Sequence, residues 1–209
     1  MNALPCSAAA DRNKQAILDR LCELLPAQGN ALEIASGTGQ HVVCFATGLP
    51  QWTWQPTDYQ ASALPAIAAR ITLQRVANVS APLQLDVMAP KWFGDAQPLP
   101  NFDLIFCANM LHISPWATCA GLMQGGARHL AHGGALITYG PYLEDEVITA
   151  AGNLEFDRSL RAQNTAWGLR RRTDVEKAAA TAGLYLSARH AMPANNLLLL
   201  WRAAPAAPV

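Results

Sequence analysis

The stretch ALEIASGTGQHVVCFA, residues 31–46, decides how the rest of the chain is read. Leu32 to Ala35 suit a buried strand and run straight into Ser36-Gly37-Thr38-Gly39, and the apolar pattern behind them fits a helix reaching about Thr47. Strand, glycine turn and helix in that order direct backbone N–H groups toward an anionic or polar nucleotide-like ligand. The helix N-terminus adds the positive end of its dipole.

Outward from that turn the chain alternates. An apolar stripe of Ile17, Leu18, Leu21, Leu24 and Leu25 predicts a helix over 12–25, capped by Asp11 and ended by Pro26 and Gly29. Strands are predicted over 31–35, 53–57, 83–85, 102–108 and 135–139, with an Ala-rich helix over 62–75. Ser114-Pro115 should cap a further helix running to about Leu130, stopped by Gly133-Gly134. Periodicity weakens over 140–168, which reads as a functional insertion with a short helix near 156–161. Thr173-Asp174-Val175-Glu176 has the form of a capping box for a helix closed by Gly183. Two last runs, 184–191 and 197–203, have no helix between them and pair as antiparallel strands joined by a turn at Asn195-Asn196. The expected fold is α/β, a doubly wound Rossmann-like sheet in one domain spanning 1–209. Residues 1–28 form a lid helix ahead of the first strand.

Composition narrows the function. Half of the 209 residues are hydrophobic (51%), 14% are charged and the net charge is zero. No basic track marks a nucleic-acid partner, and Arg170-Arg171-Arg172 reads as a solvated loop ahead of a helix. Five widely spaced cysteines without a C-x-x-C pair suggest buried thiols in a reducing cytoplasm, and no metal site is expected. No apolar segment reaches the roughly 20 residues of a membrane span, and no leader pattern opens the chain, so a soluble protein is expected.

In a doubly wound sheet the ligand lies beyond the C-terminal strand ends, where strand order reverses. A P-loop needs a lysine that does not follow Gly39. A dinucleotide fingerprint needs a third glycine where Val42 stands. Asp58, 21 residues after Gly37, is placed to accept both ribose hydroxyls, a role common to NAD and S-adenosylmethionine (SAM). Asp86, beside the backbone N–H of Val87, can accept from an adenine amino group, and Asn109-Met110 after the fourth strand lie beneath a methionyl arm. Glu33 is unusual in a buried strand. Its carboxylate either braces the glycine turn beside Ala35 or reaches the ligand's amino group. Polar residues at four successive strand ends, one glycine turn and a closing antiparallel pair together select SAM.

Segments SAAADRNKQAIL (7–18), LEIASGTGQH (32–41), WQPTD (54–58), ANMLHISPW (108–116), FDRSLR (156–161), WGLR (167–170) and MPANNLLLLWR (192–202) resemble one family. It is the SAM-dependent methyltransferase-like family catalogued as domain of unknown function 938. The resemblance covers almost the whole chain and implies a class I methyltransferase fold that binds SAM. It implies no acceptor, and PYLEDEVITAAGN (141–153) departs from the family pattern.

A methyltransferase aligns a nucleophile behind the sulfonium methyl and excludes water. His112 is the candidate base, or else a loop-bracing histidine. Tyr139 and Tyr142 flank Gly140-Pro141 over the expected transfer axis, either orienting an acceptor or walling the site. Arg12 and Asn13, opening the lid helix, are candidates for the ligand carboxylate, and Arg161, Asn164 and Trp167 for the acceptor. His129 and His132 suit a helix C-terminus. The first expectation is methyl transfer to a small molecule in a compact enclosed pocket. Acceptor-free cyclisation of SAM to azetidine-2-carboxylate and methylthioadenosine is a second, and a non-catalytic SAM-binding subunit a third.

Overall fold

A computed structural model describes residues 4–94 and 99–204. Seven strands form one sheet: β1 (Gly29–Ile34), β2 (Trp52–Asp58), β3 (Leu83–Gln84), β4 (Phe102–Ala108), β5 (Leu130–Gly140), β6 (Leu184–Met192) and β7 (Asn196–Ala203). Their order is β3-β2-β1-β4-β5-β7-β6, with β1 to β5 parallel and β7 antiparallel to both neighbours. The chain starts at mid-sheet, winds out to β3, then returns to β4 on the other side of β1. The crevice of a doubly wound sheet therefore opens over the ends of β1 and β4.

Helices α1 (Ala8–Leu24), α2 (Gln40–Gly48) and α3 (Leu64–Gln74) precede β4. After it come α4 (Ala117–His129), α5 (Ala151–Gln163) and α6 (Arg172–Thr181). Strand alternation divides the core into two layers. In β4, Leu104 and Phe106 face Ile17, Leu21 and Phe45 of α1 and α2, while Ile105 and Cys107 face Leu122 and Val175 of α4 and α6. The run LLLLW of β7 splits the same way, and the Trp201 indole N–H, buried on the α4–α6 side, donates to Thr138 Oγ1 at 3.0 Å. No helix among the described residues is long and apolar enough to cross a membrane.

Several element boundaries differ from the sequence reading, each for a local reason. Helix α1 begins at Ala8 because Ser7, not Asp11, caps it, its hydroxyl accepting the Ala10 N–H at 3.3 Å; Asp11 pairs with Lys14 instead. Ser114 does not cap α4, whose cap position is Trp116; its hydroxyl donates to the Met110 carbonyl at 2.6 Å and bonds to Thr118. Gly133 and Gly134 do not stop α4 but fall inside β5, where Gly133 takes φ +78° and the pairing with β4 shifts register. His132 accordingly lies in β5 rather than at a helix end. The capping box is not formed: α6 starts at Arg172, and Glu176 pairs with Arg172 rather than reaching back to the cap. The helix of the insertion spans Ala151–Gln163, much longer than expected. Its start is held by Asn195 of the β6–β7 turn, whose Oδ1 accepts the Ala150 N–H at 3.0 Å. The Ala/Pro tail after residue 204 lies outside the described residues.

Candidate functional site

The glycine turn is built as three residues of positive φ: Ala35 at 57°, Gly37 at 57° and Gly39 at 73°. Gly39 has a packing reason as well, since a Cβ there would stand 3.3 Å from the Ile67 backbone. Gly37 has none; apart from the Ala35 carbonyl at 3.9 Å, the space above it is open. An exposed, left-handed glycine facing open space is what a backbone-hugging ligand requires.

Hydrogen bonds stitch this turn to the end of β2. Ser36 N–H donates to the Thr57 carbonyl (2.8 Å), and the Thr57 hydroxyl donates to the Glu33 carbonyl (2.7 Å). Asp58 accepts the Gly37 N–H on Oδ2 at 2.8 Å and the Gln60 N–H on Oδ1 at 2.9 Å. Each carboxylate oxygen keeps a second lone pair, so this grip leaves room for two hydroxyl donors.

Glu33 lies on the same sheet face as Asp58 and is 2% exposed. Desolvation raises its pKa to about 7, the Ser36 hydroxyl opposes the rise, and the Asp58 charge adds to it. Its Oε2 has no partner. Next along the sheet, Asn109 adopts φ 61°, and its N–H donates to the Tyr139 carbonyl at 2.8 Å, joining the ends of β4 and β5; Met110 follows, half-buried. Beyond β3, Asp86 is exposed and closes its own turn by accepting the Met88 N–H at 2.9 Å, while Val87 is buried.

The two tyrosines are not brought together. Tyr139 belongs to the layer under α1 and α2, and Tyr142 to the layer under α4 and α6. Burial raises the pKa of both phenols. His112 stands with Tyr142, ring centroids 4.9 Å apart at 72°, and is fully buried with neither ring nitrogen bonded. Burial lowers its pKa to about 3, helped by the Arg170 charge and only partly offset by the Gly168 backbone. A neutral imidazole sealed from solvent at this depth is poorly suited to take up a proton.

On the opposite face Asn13 connects α1 to α2, its Oδ1 lying 2.7 Å from His41 Nε2, and its side chain also reaches the Tyr139 hydroxyl. Arg12 is exposed. In the insertion, Arg161 is spent on Asp157 at 2.8 Å, and Asn164 closes the turn after α5 by accepting the Ala166 N–H at 2.9 Å. Trp167 is half-buried, and its N–H donates to the Asn164 carbonyl.

Other side chains prove important without a sequence signal. Arg70 of α3 donates to the Thr38 carbonyl of the glycine turn (2.7 Å) and to the Pro5 carbonyl ahead of α1 (2.5 Å). Gln40 accepts from the Ser7 N–H and the Thr38 hydroxyl, both at 2.6 Å. Arg170 is no solvated charge: it donates to the Leu111, Ser114 and Ala166 carbonyls and lies 5.6 Å from the Trp116 ring, clamping the end of the insertion onto the loop after β4. Arg171 and Arg172 pair with Asp145 and Glu144. One cleft runs along α1, α2 and α3, bordered by Lys14, Gln40 and Arg70, and another passes Asp103 and Gly133 at the opposite end of the strands. At the strand C-terminal ends, Arg70 and Gln40 draw residues 5–7 down onto the turn.

Buried titratable groups give the fold a defined pH response. His112 and His41 fall from 6.5 to about 3 and about 4. The unfolded chain therefore takes up two protons near pH 6.5 that the folded chain refuses. The stability these rings lend is complete above that pH and is lost on acidification, at about 1.4 kcal/mol per pH unit for each. Glu33, raised from 4.5 to about 7, acts oppositely: its contribution is complete below pH 4.5 and is lost as pH rises through 7. Between pH 6 and 4.5 two protons oppose one, so stability falls by about 1.4 kcal/mol per unit of acidification. Urea midpoints across pH 4.5–8 will show this slope. His112→Phe, which preserves the ring packing, should nearly flatten it.

This sheet order, glycine turn and set of strand-end polar groups define a Rossmann-like class I methyltransferase fold. The chain belongs to the family described as "Protein of unknown function (DUF938)", which it matches over residues 4–203. Similar solved structures include an O-methyltransferase family protein from Burkholderia thailandensis, with 18% identity and a TM-score of 0.78 over 95% of this chain and 58% of that one. An O-methyltransferase family 2 protein from Planctomyces limnophilus, in complex with apigenin, has 19% identity and a TM-score of 0.75, covering 94% and 60%. Human N-acetylserotonin methyltransferase in complex with SAM has 14% identity and a TM-score of 0.74, covering 94% and 53%. The chain thus spans little more than half the length of these proteins, and the likeness is one of fold.

Proposed function

We propose that this chain is an enzyme that binds SAM and transfers its methyl group to a small molecule. The observation that carries the reading is the turn at Gly37: open space above a left-handed glycine whose N–H is held by a buried carboxylate that can still accept two hydroxyls. The residue set fits SAM part by part. Asp58 takes the ribose, and Asp86 with the Val87 N–H takes the adenine. Ala35, Gly37 and Gly39 supply backbone to the central portion, and Asn109 with Met110 lies beneath the methionyl arm. Glu33, Arg12 and Asn13 serve its ammonium and carboxylate ends. Exposed Tyr59 and Met88, immediately after Asp58 and close after Asp86, offer apolar surface to the adenine faces.

When bound, SAM supplies a methyl group activated by its sulfonium. The protein's task is alignment and water exclusion rather than bond polarisation. Tyr139 orients what lies over the end of β5. His112 and Tyr142 act from beneath as positioning residues that fix Asn109 and Gly140. Arg161, Asn164 and Trp167 border the acceptor side. A small-molecule acceptor is supported by the neutral charge of the chain and by the apigenin and N-acetylserotonin named for the fold neighbours. Five free cysteines, three of them at least half-buried, suit a reducing cytoplasm.

The arm at residues 5–7 and helix α1 act as the lid over this site, with Arg70 as its latch. Arg70→Ala should leave the fold intact and speed SAM dissociation about tenfold, the effect of losing about 1.4 kcal/mol, roughly one charge-assisted hydrogen bond at the weak end of its range, as read by stopped-flow displacement. An unchanged rate would separate the arm from the ligand.

Incubation of the purified chain with SAM alone, followed by mass spectrometry, tests the reaction type. Methyl transfer predicts that SAM stays intact until an acceptor is added, at which point S-adenosylhomocysteine forms. Methylthioadenosine with an equal amount of azetidine-2-carboxylate would replace transfer by cyclisation. SAM bound but inert with every acceptor pool would leave a non-catalytic subunit.

A further inference from the structure

We infer that Glu33, set beside the Asp58 carboxylate, is a buried anionic site for the ammonium of an α-amino acid ligand, and that SAM is admitted there in exchange for a proton. This rests on the SAM-binding reading above and adds to it a coupling between ligand occupancy and pH.

The geometry is that of a cation site without its cation. Two carboxylates, 2% and 8% exposed, share the sheet face beneath α1 and α2 at the ends of adjacent strands. Asp58 is satisfied by two backbone N–H groups, whereas Glu33 keeps one wholly buried oxygen without a partner. Among the described residues, the charge acting on Glu33 is that of Asp58, and it is repulsive. The Ser36 hydroxyl offsets this only in part, and the neighbouring elements supply no compensating charge among the described residues. On α2, His41 is held neutral by burial and tied to Asn13. On β4, the Cys107 thiol is pushed up and stays protonated, as does the Tyr139 phenol on β5. Lys14 of α1 is paired with Asp11, and the Arg70 guanidinium is committed to two carbonyls.

A buried carboxylate in this position keeps its proton to about pH 7. An ammonium is attracted only to the ionised form. Binding therefore converts the carboxylic acid and the incoming ammonium into an ion pair and releases one proton to the buffer. Charge and atoms balance, and no other reactant is needed. Affinity should fall about eightfold between pH 7.5 and pH 6, the ratio of ionised fractions for a group titrating at 7. The ligand's own α-ammonium stays charged across most of that range.

The test is calorimetric titration of the whole chain with SAM at pH 7 in phosphate and in Tris, whose ionisation heats differ widely, with affinities measured at pH 6 and 7.5. About half a proton should be released per SAM bound. S-adenosylhomocysteine, which keeps the ammonium but lacks the sulfonium charge, should release the same amount. Methylthioadenosine, which lacks the amino acid arm, should bind with heats that do not depend on buffer. Glu33→Gln should bind SAM more weakly at pH 7.5, with neither buffer nor pH dependence; its melting curve confirms folding, and the methylthioadenosine control needs no variant. Buffer-independent heats for SAM on the wild-type chain overturn the proposal while leaving SAM binding standing. Absence of binding in both buffers overturns the site itself.

Discussion

Asp58→Ala should lower SAM affinity about a thousandfold while the chain remains folded. The carboxylate holds the Gly37 N–H at 2.8 Å and the Gln60 N–H at 2.9 Å, and in the proposed reading it also receives the ribose hydroxyls. Hydrogen bonds to a charged acceptor contribute about 1.5–3 kcal/mol each. Losing two toward the ligand, together with the brace on the turn, amounts to about 4 kcal/mol, or three decades in affinity. Asp58→Asn keeps one acceptor oxygen and should fall between. Equilibrium dialysis with labelled SAM measures both. A loss smaller than tenfold for the alanine variant would mean that the ligand does not lie against this carboxylate.

Gly140→Ala should be the most damaging single methyl at the site. A Cβ there would stand 2.3 Å from His112 Nε2 and 3.2 Å from Asn109 Oδ1. The imidazole cannot retreat, because it is fully buried with the Tyr142 ring against it. Overpacking of this kind costs about 1–3 kcal/mol, and the displaced group is the Asn109 turn, proposed above to lie beneath the methionyl arm. Both the urea midpoint and the rate with any acceptor should therefore drop. His112→Ala in the same chain reopens the space, so the double variant should recover much of the stability lost by Gly140→Ala. That non-additivity is the signature of direct contact. If the two effects add independently, the ring and the glycine are not coupled.

The sequence was most informative where one physical cause acts alone. The run FDLIFCA could hardly be anything but a buried strand, and it occupies Phe102–Ala108 as expected. Gly37 was readable as a left-handed turn residue, and Asp58 as the residue closing the second strand; their hydrogen bond to each other was not. The reading faltered where two signals competed. Asp11 and Ser7 are both good caps, and the earlier one prevails because three alanines after it extend the helix at little cost. Gly133-Gly134 resembles a helix stop, yet glycine equally serves a register shift in a strand. Tyr139 and Tyr142 are three residues apart, which carries them to opposite sheet faces once Gly140 ends the strand. Arg70 and Arg170 gave no signal, because a single arginine on an Ala-rich helix or in a basic triplet reads as solvated charge. Their value lies in backbone carbonyls more than thirty residues away in sequence, which no local pattern shows.

One labelling experiment distinguishes methyl transfer from SAM to a small molecule, proposed at the ends of β1, β2 and β4, from its alternatives. The purified chain is incubated with SAM carrying a deuterated methyl group and a small-molecule extract depleted of macromolecules, and the products are followed by mass spectrometry against the Asp58→Ala chain. Methyl transfer predicts S-adenosylhomocysteine and one small molecule that carries the label, both absent with the variant. Label found only in methylthioadenosine, formed equally well without the extract, would contradict it.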